Sequence, residues 1–323
     1  MAIIQLENLN WPAVDALDRQ RTLLLQPVSP IEEHGPHLPL GVDLWVAEYF
    51  ARRLAERWAE EHEDWTIAVL PSLALGSNAF AAPGTVCVRQ SAMRDVIYDT
   101  GACWAQAGFR YLFLASGHGS TGHLVALEEA AHAIERGYGM KMVSLSSKLI
   151  PEVLSGALWN RVGERLGREL SATERAMLRG DTHAGLLETS LMLKLRPELV
   201  DDSYRQLEPY DPPMIEKLRD SYATREGRLG YVGYPAAASA EFGEAALEAF
   251  VDVAYERMIE AMCNPDVEKL SVLARVPPLR VGWRRMAGAI SLAAASAFGA
   301  GLLAFLVGRR QRDKADPNDI IPE

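Results

Sequence analysis

Apolar positions along the first half of the chain recur with two alternating periods. Thr22-Leu23-Leu24-Leu25-Gln26-Pro27 is a short apolar run closed by proline, the pattern of a buried strand. Across residues 43–62 the spacing changes: Ala47, Phe50, Ala51, Leu54, Ala55 and Trp58 fall on one helical stripe, with Arg52, Arg53, Glu56 and Arg57 between them. Asp43 stands at the start of that helix, where a carboxylate is expected to act as the N-cap. The alternation then repeats. Residues 66–71 predict a strand, Met93, Val96, Ile97, Thr100 and Trp104 a stripe, and Tyr111–Ala115 a strand. Leu124, Leu127, Ala131 and Ile134 mark the next stripe, and residues 140–145 the next strand. Strands separated by amphipathic helices indicate βαβ units, so the expected fold class is α/β, a mostly parallel sheet flanked by helices.

Residues 151–180 turn polar and helix-prone, residues 201–228 are dense in Asp, Pro, Tyr and Arg and read as loops, and residues 245–262 return to an amphipathic helix before Pro265. We therefore expect a folded domain over residues 1–265, a linker over 266–285, and a membrane segment over 286–308 followed by a polar tail, 309–323. The segment 286–308 carries no charged residue in 23 positions. At 1.5 Å per residue it reaches about 34 Å, enough to cross a bilayer core once as a C-terminal transmembrane helix. Basic residues flank it on both sides, so their count does not orient it. The N-terminus shows no basic and apolar secretory pattern. The expectation is a single-pass membrane protein whose catalytic domain lies in the cytoplasm.

Composition narrows the partners. A formal charge of −10 argues against a nucleic-acid surface, which needs clustered Lys and Arg. Cys87, Cys103 and Cys263 are odd in number and lack C-x-x-C spacing, which suggests neither a disulfide framework nor a thiolate zinc site.

Three polar clusters carry the candidate chemistry. Glu32-Glu33-His34-Gly35-Pro36-His37-Leu38-Pro39-Leu40-Gly41-Val42-Asp43 places two imidazoles and three carboxylates in twelve residues directly after the first predicted strand. In an extended segment Glu32 and His34 point the same way and can bind neighbouring ions, with Asp43 folding back to bridge them. Carboxylate with imidazole suits zinc, manganese or iron(II). Ser116-Gly117-His118-Gly119-Ser120-Thr121-Gly122-His123 follows the strand Tyr111–Ala115 and opens a helix. Strand C-termini of a parallel sheet form the ligand crevice, so His118 should meet the first cluster there, while His123 is expected on the helix surface or behind the ligands. In Asp181-Thr182-His183-Ala184-Gly185-Leu186-Leu187-Glu188, His183 and Glu188 flank a glycine turn.

Taken together, these clusters resemble the creatininase (creatinine amidohydrolase) family. The resemblance runs roughly from Leu24 to Ala261 and includes Pro83-Gly84-Thr85 and the stretch from Gly230 to Ala240. It implies a two-metal centre, frequent hexameric assembly, and hydrolysis of cyclic or linear amides. Carried over by position, Glu32 would bind one metal and His34 the other, Asp43 would bridge both, and His118 would complete the coordination of the first metal. By the same resemblance Glu188 would be the remaining carboxylate ligand and His183 the general acid/base. The nucleophile would be a metal-bound hydroxide attacking the amide of a small molecule or peptide. Some positions depart from the family pattern. Glu33 replaces a common Gln, and Ser120-Thr121 stand where creatinine-cleaving members carry a carboxylate ligand. Ser77-Asn78-Ala79-Phe80-Ala81-Ala82 lacks a histidine, and the tryptophans around creatinine have no match near Ser147-Lys148 or Arg179-Gly180. Creatinine is therefore not the expected substrate. The same residues also admit a non-catalytic, membrane-tethered scaffold on this fold.

Overall fold

The computed structural model describes residues 2–217, 222–224 and 227–263. Its strands are short and pair in parallel: β1 (Ala2–Gln5), β2 (Thr22–Ser29), β3 (Thr66–Val69), β4 (Leu73–Ala74), β5 (Tyr111–Ala115) and β6 (Lys141–Ser144). The order across the sheet is β1-β3-β2-β5-β6, with β4 paired to the end of β2. Pro27 does not end β2, which continues to Ser29. There the Gln26 side-chain amide donates to the carbonyls of Pro27 and Pro71, tying the strand to the segment that follows β3.

Ten helices follow in chain order: α1 (Trp11–Asp15), α2 (Val42–Glu61), α3 (Gln90–Gln106), α4 (Thr121–Tyr138), α5 (Leu149–Ser155), α6 (Ala157–Arg165), α7 (Ala172–Gly180), α8 (Leu186–Leu195), α9 (Met214–Lys217) and α10 (Ala240–Cys263), counted among the described residues. They cover both faces of the sheet. The period of two along β2 sends Leu23 and Leu25 to a core shared with α2, α6, α8 and α10. Leu24 and Val28 go to the opposite core with α3 and α4. Burying each of these leucines contributes about 1.5–3 kcal/mol.

From β2 the chain steps outward on one side to β3 and later returns on the other side to β5. That reversal opens a crevice at the C-terminal ends of β2 and β5. The loops leaving these two strands carry the first two polar clusters.

One local expectation is corrected. The N-cap of α2 is Gly41, with no side-chain cap; Asp43 lies inside the first turn, 1% exposed, and its carboxylate faces the crevice. The expected linker, transmembrane helix and tail at 266–323 lie outside the described residues. Among the described residues no helix is long and apolar enough to cross a membrane.

Candidate metal centre

The loop after β2 is closed on itself by the Glu32 N–H, which donates to the Leu40 carbonyl at 3.1 Å. This brings Asp43, on α2, back against Glu32. The β5 loop reaches the same place because residue 117 has no side chain: a Cβ there would lie 2.2 Å from the Asp43 carbonyl oxygen. His118 is thereby set beside both acids, its Nδ1 3.1 Å from Glu32 Oε2 and 3.2 Å from Asp43 Oδ2. On the other side, His34 Nε2 lies 3.6 Å from Asp43 Oδ1 and 3.6 Å from Glu188 Oε2. Three donor groups are each compact enough to hold a cation, Glu32–His34–His183, Glu32–Asp43–His118 and His34–Asp43–Glu188, and the last two together make a pair of sites. They share Asp43, which turns one oxygen to each. All five residues proposed from the sequence as ligands are brought together.

Hydrogen bonding fixes the imidazole that serves the second set. His34 Nδ1 sits 3.0 Å from the Glu32 carbonyl, which can only accept, so Nδ1 carries a proton and Nε2 is the nitrogen turned to Asp43 and Glu188, available to a cation once its own proton is displaced. Metal-binding histidines are oriented in this way. Among the described residues Glu32 Oε2, His34 Nε2, Asp43 Oδ2 and His118 Nε2 are buried without a hydrogen-bond partner. Buried polar atoms left unpaired are costly, and a cation in each set would satisfy Glu32 Oε2 and Asp43 Oδ2 in the first and His34 Nε2 in the second. No Lys or Arg among the described residues pairs with Glu32, Asp43 or Glu188. The donor set thus fits a pair of divalent ions.

The electrostatics point the same way. Burial opposes a charge on His34, yet the carboxylates of Glu188, Asp43 and Glu32 override it and raise its pKa to about 10. His118 is likewise raised well above its ordinary value by Glu32 and Asp43 against the cost of burial. Asp43 is held well below the usual carboxylate range by His118 and His34, again against burial. Without a metal, then, protons supply the positive charge that the acids demand. Metal uptake must displace them. Zinc affinity is accordingly expected to rise with pH between 6 and 8, by about tenfold per unit for each proton displaced. Stability of the metal-free chain should move the opposite way. The His34 contribution is complete below the unfolded value of 6.5 and is lost as pH climbs through about 10. Titrating zinc into weakly buffered protein at pH 7 checks this by proton release; affinity independent of pH would refute it.

The third cluster is held by a short backbone pairing, in which His183 and Val232 exchange N–H···O bonds of 3.2 and 2.7 Å. The N-cap position of α8 is Gly185, and the Asp181 carboxylate accepts from the first N–H groups of the helix, Leu186 at 2.7 Å and Leu187 at 2.8 Å. Burial pushes its pKa up to about 7 against these donors. Its carboxylate fills the space where Gly185 and Gly233 lack side chains, since a Cβ at either would lie 1.7 or 1.8 Å from Asp181 Oδ1. Between His183 and Gly185, Ala184 is held at φ +48°, a left-handed conformation that non-glycine residues seldom adopt. From it the Ala184 N–H donates to Glu188 Oε2 at 2.5 Å.

His183 itself is 5% exposed and lies against His34, with ring centroids 4.5 Å apart. Its Nε2 is 2.7 Å from the Glu33 carbonyl and 3.2 Å from Glu33 Oε1. Nε2 therefore donates, and Nδ1, 3.9 Å from Glu188 Oε2, is the nitrogen turned toward the cluster. Glu33 is a site residue that sequence reasoning passed over as a mere departure from Gln. The period of two offers the signal, because it turns Glu33 to the side opposite Glu32 and His34. Phe80 was also missed. Its ring packs 4.7 Å from that of His183, and its N–H donates to Glu32 Oε1 at 2.5 Å. His37 turns away, to Thr189 Oγ1 at 2.9 Å, and stays neutral, its pKa lowered to about 4 by burial and by His34. His123 is fully buried rather than on the helix surface. It stands behind His118, edge to face at 5.1 Å, and reaches Ser116 Oγ at 3.0 Å.

Residues 7–260 match the family model "Creatininase: Creatinine amidohydrolase", and the chain belongs to the creatininase family. It is thus an amidohydrolase, of the hydrolases that act on carbon–nitrogen bonds. A mycofactocin precursor peptide peptidase of Mycobacterium tuberculosis (strain CDC 1551 / Oshkosh) is 27% identical over 255 residues, covering 74% of this chain and 86% of the relative. A creatinine amidohydrolase of Pseudomonas putida is 28% identical over 194 residues, covering 55% and 66%. Among solved structures, a creatinine amidohydrolase superposes with a TM-score of 0.57 at 22% identity, covering 81% of this chain and 98% of that one. Solved creatininases of this fold include a manganese form and a Zn–Zn form.

Proposed function

We propose that this chain hydrolyses the amide bond of a peptide or small amide at a two-metal centre. The observation that carries the reading is the carboxylate of Asp43, whose two oxygens face two separate donor sets. Glu32, Asp43 and His118 would hold one ion, and His34, Asp43 and Glu188 the other. Zinc, manganese or iron(II) bound there would supply Lewis acidity toward the amide carbonyl and a water acidic enough to ionise near neutral pH.

The remaining chemistry belongs to the protein. His183 is the general acid/base: with Nε2 committed to Glu33, Nδ1 takes up a proton at the cluster and gives it to the departing nitrogen. Glu33 keeps the ring in that orientation from the far side. Phe80 and the burial of His183 keep bulk water from competing for the transferred proton. The peptidase and the creatinine amidohydrolase among the relatives support a peptide or small-amide substrate. The missing tryptophans disfavour creatinine itself.

The uncharged stretch 286–308 supports a single-pass tether, and the family resemblance supports a homo-oligomer, with a hexamer as the expected form. Fractionating cells that express the full chain and a chain ending at residue 265 tests the tether: only the full chain should pellet with membranes.

The catalytic reading is tested by metal analysis of the purified chain alongside a panel of peptides and simple amides. Two ions per chain, cleavage lost to a chelator and recovered with zinc or manganese are expected. A carefully prepared chain with no transition metal and no turnover would instead mark the fold as a scaffold.

A further inference from the structure

Beside the metal cluster lies a cavity of about 70 Å³. Its floor includes Asp43, shared by both donor sets, with His118 from one and Glu188 from the other, so whatever enters it adjoins the reacting centre. Its walls are mainly apolar, with Val46 and Phe50 from α2, Leu149 and Ile150 from α5, and Leu187 and Leu191 from α8; Ser116 and Ser146 also line it, but the Ser146 hydroxyl is engaged by the Ser116 backbone, donating to its carbonyl at 2.7 Å and accepting from its N–H at 2.9 Å. Apart from the floor no lining residue is charged, and none is Lys or Arg.

Size and chemistry together restrict the occupant. Pockets that enclose whole small-molecule ligands run to about 300–1,000 Å³, well above this one. An apolar cavity of about 150 Å³ accommodates benzene, so an aromatic ring also exceeds the space. One branched aliphatic group fits it. A charged side chain would be stripped of water among leucine and isoleucine side chains with no partner to compensate it. A carboxylate would in addition face Asp43 and Glu188.

We propose that this cavity receives the aliphatic side chain, of about valine to leucine size, of the residue adjoining the scissile bond. The substrate class is then a peptide or amide that carries a branched aliphatic group next to the amide to be cut. The inference rests on the hydrolase reading of the same centre and adds to it the part of the substrate that the centre selects.

The test is equilibrium binding of alkyl hydroxamates to the zinc-loaded full chain, read by calorimetry without turnover. The hydroxamate head engages the metals, and the tail samples the cavity. From acetohydroxamate through isobutyrohydroxamate to isovalerohydroxamate, affinity is expected to rise about threefold to fourfold per added carbon. Benzohydroxamate and the charged succinic monohydroxamate should fall below isovalerohydroxamate. Ile150→Phe, which fills the cavity, should abolish the gain with tail length. Ile150→Ala, which enlarges it, should move the optimum toward benzohydroxamate. Unchanged zinc content and far-UV dichroism show that each variant is folded, and the second variant serves if the first is not. A series indifferent to tail size, in a chain that still cleaves amides, overturns the cavity assignment alone. Failure of every hydroxamate to bind the zinc-loaded chain overturns the two-metal reading and this inference with it.

Discussion

Asp43→Ala is expected to release both metal ions and to lower turnover by more than about 10³-fold. The size follows from the sharing of one carboxylate between two donor sets: Oδ2 lies 3.2 Å from His118 Nδ1 and Oδ1 3.6 Å from His34 Nε2. Glu32→Ala or Glu188→Ala removes a donor from one set and should cost one ion first. Removing a buried acid also leaves its imidazole partners uncompensated, which destabilises a fold by about 3–5 kcal/mol. Asp43→Asn separates the two effects. It keeps the shape of the side chain and spares most of the stability, but it presents only one oxygen and cannot bridge. Metal content by mass spectrometry, with melting temperature as control, decides the matter. A well-folded Asp43→Ala protein that still carries two ions would end the bridging assignment.

How much of this site could be seen in the sequence depended on whether a residue's role was local or was set by its surroundings. The strand Tyr111–Ala115 was legible to the residue, because an apolar run of that length between turn signals has few alternatives. β4, of two residues, carries too little pattern to be read, and β1 was not anticipated although β3 and β6, of the same four-residue length, were. The metal-facing residues were legible as a set because Glu, His and Asp crowd into the loops that leave β2 and β5, where a parallel sheet opens its crevice.

Asp43 shows where local reasoning fails. Propensity alone places an Asp at the start of a helix as its cap, yet Gly41 occupies that position and Asp43 is turned inward to His34 and His118. The converse holds for Asp181, which had no assigned role and proves to organise the start of α8 beneath Glu188. Both outcomes depend on residues far away in the chain, Gly117 in one case and Gly233 in the other, whose missing side chains make the room. A glycine in a polar loop announces a turn. Nothing in its own neighbourhood announces which distant backbone or carboxylate will occupy the space it leaves.

His183→Ala should do the opposite of Asp43→Ala: keep the metals and lose the chemistry. Its Nδ1 stands 3.9 Å from Glu188 Oε2, at the margin of the cluster, while both donor sets that share Asp43 are complete without it. A positioned acid/base contributes about 10²–10⁴-fold, so kcat is expected to fall by that factor while KM and zinc content stay near their original values. Glu33→Ala supplies the graded comparison. The Glu33 carbonyl, 2.7 Å from Nε2, survives the substitution; His183 loses only the longer 3.2 Å contact to Oε1, and the Gly35 N–H loses its 2.9 Å bond to Oε2. Its effect on kcat should therefore be smaller than that of His183→Ala, and Glu33→Gln, which retains an acceptor oxygen, should recover most of it. If His183→Ala turned over at the original rate with both ions in place, the proton must reach the leaving nitrogen by another route. If it instead lost an ion, the ring would belong to the group Glu32–His34–His183, which also comes together here, and its role would be ligation.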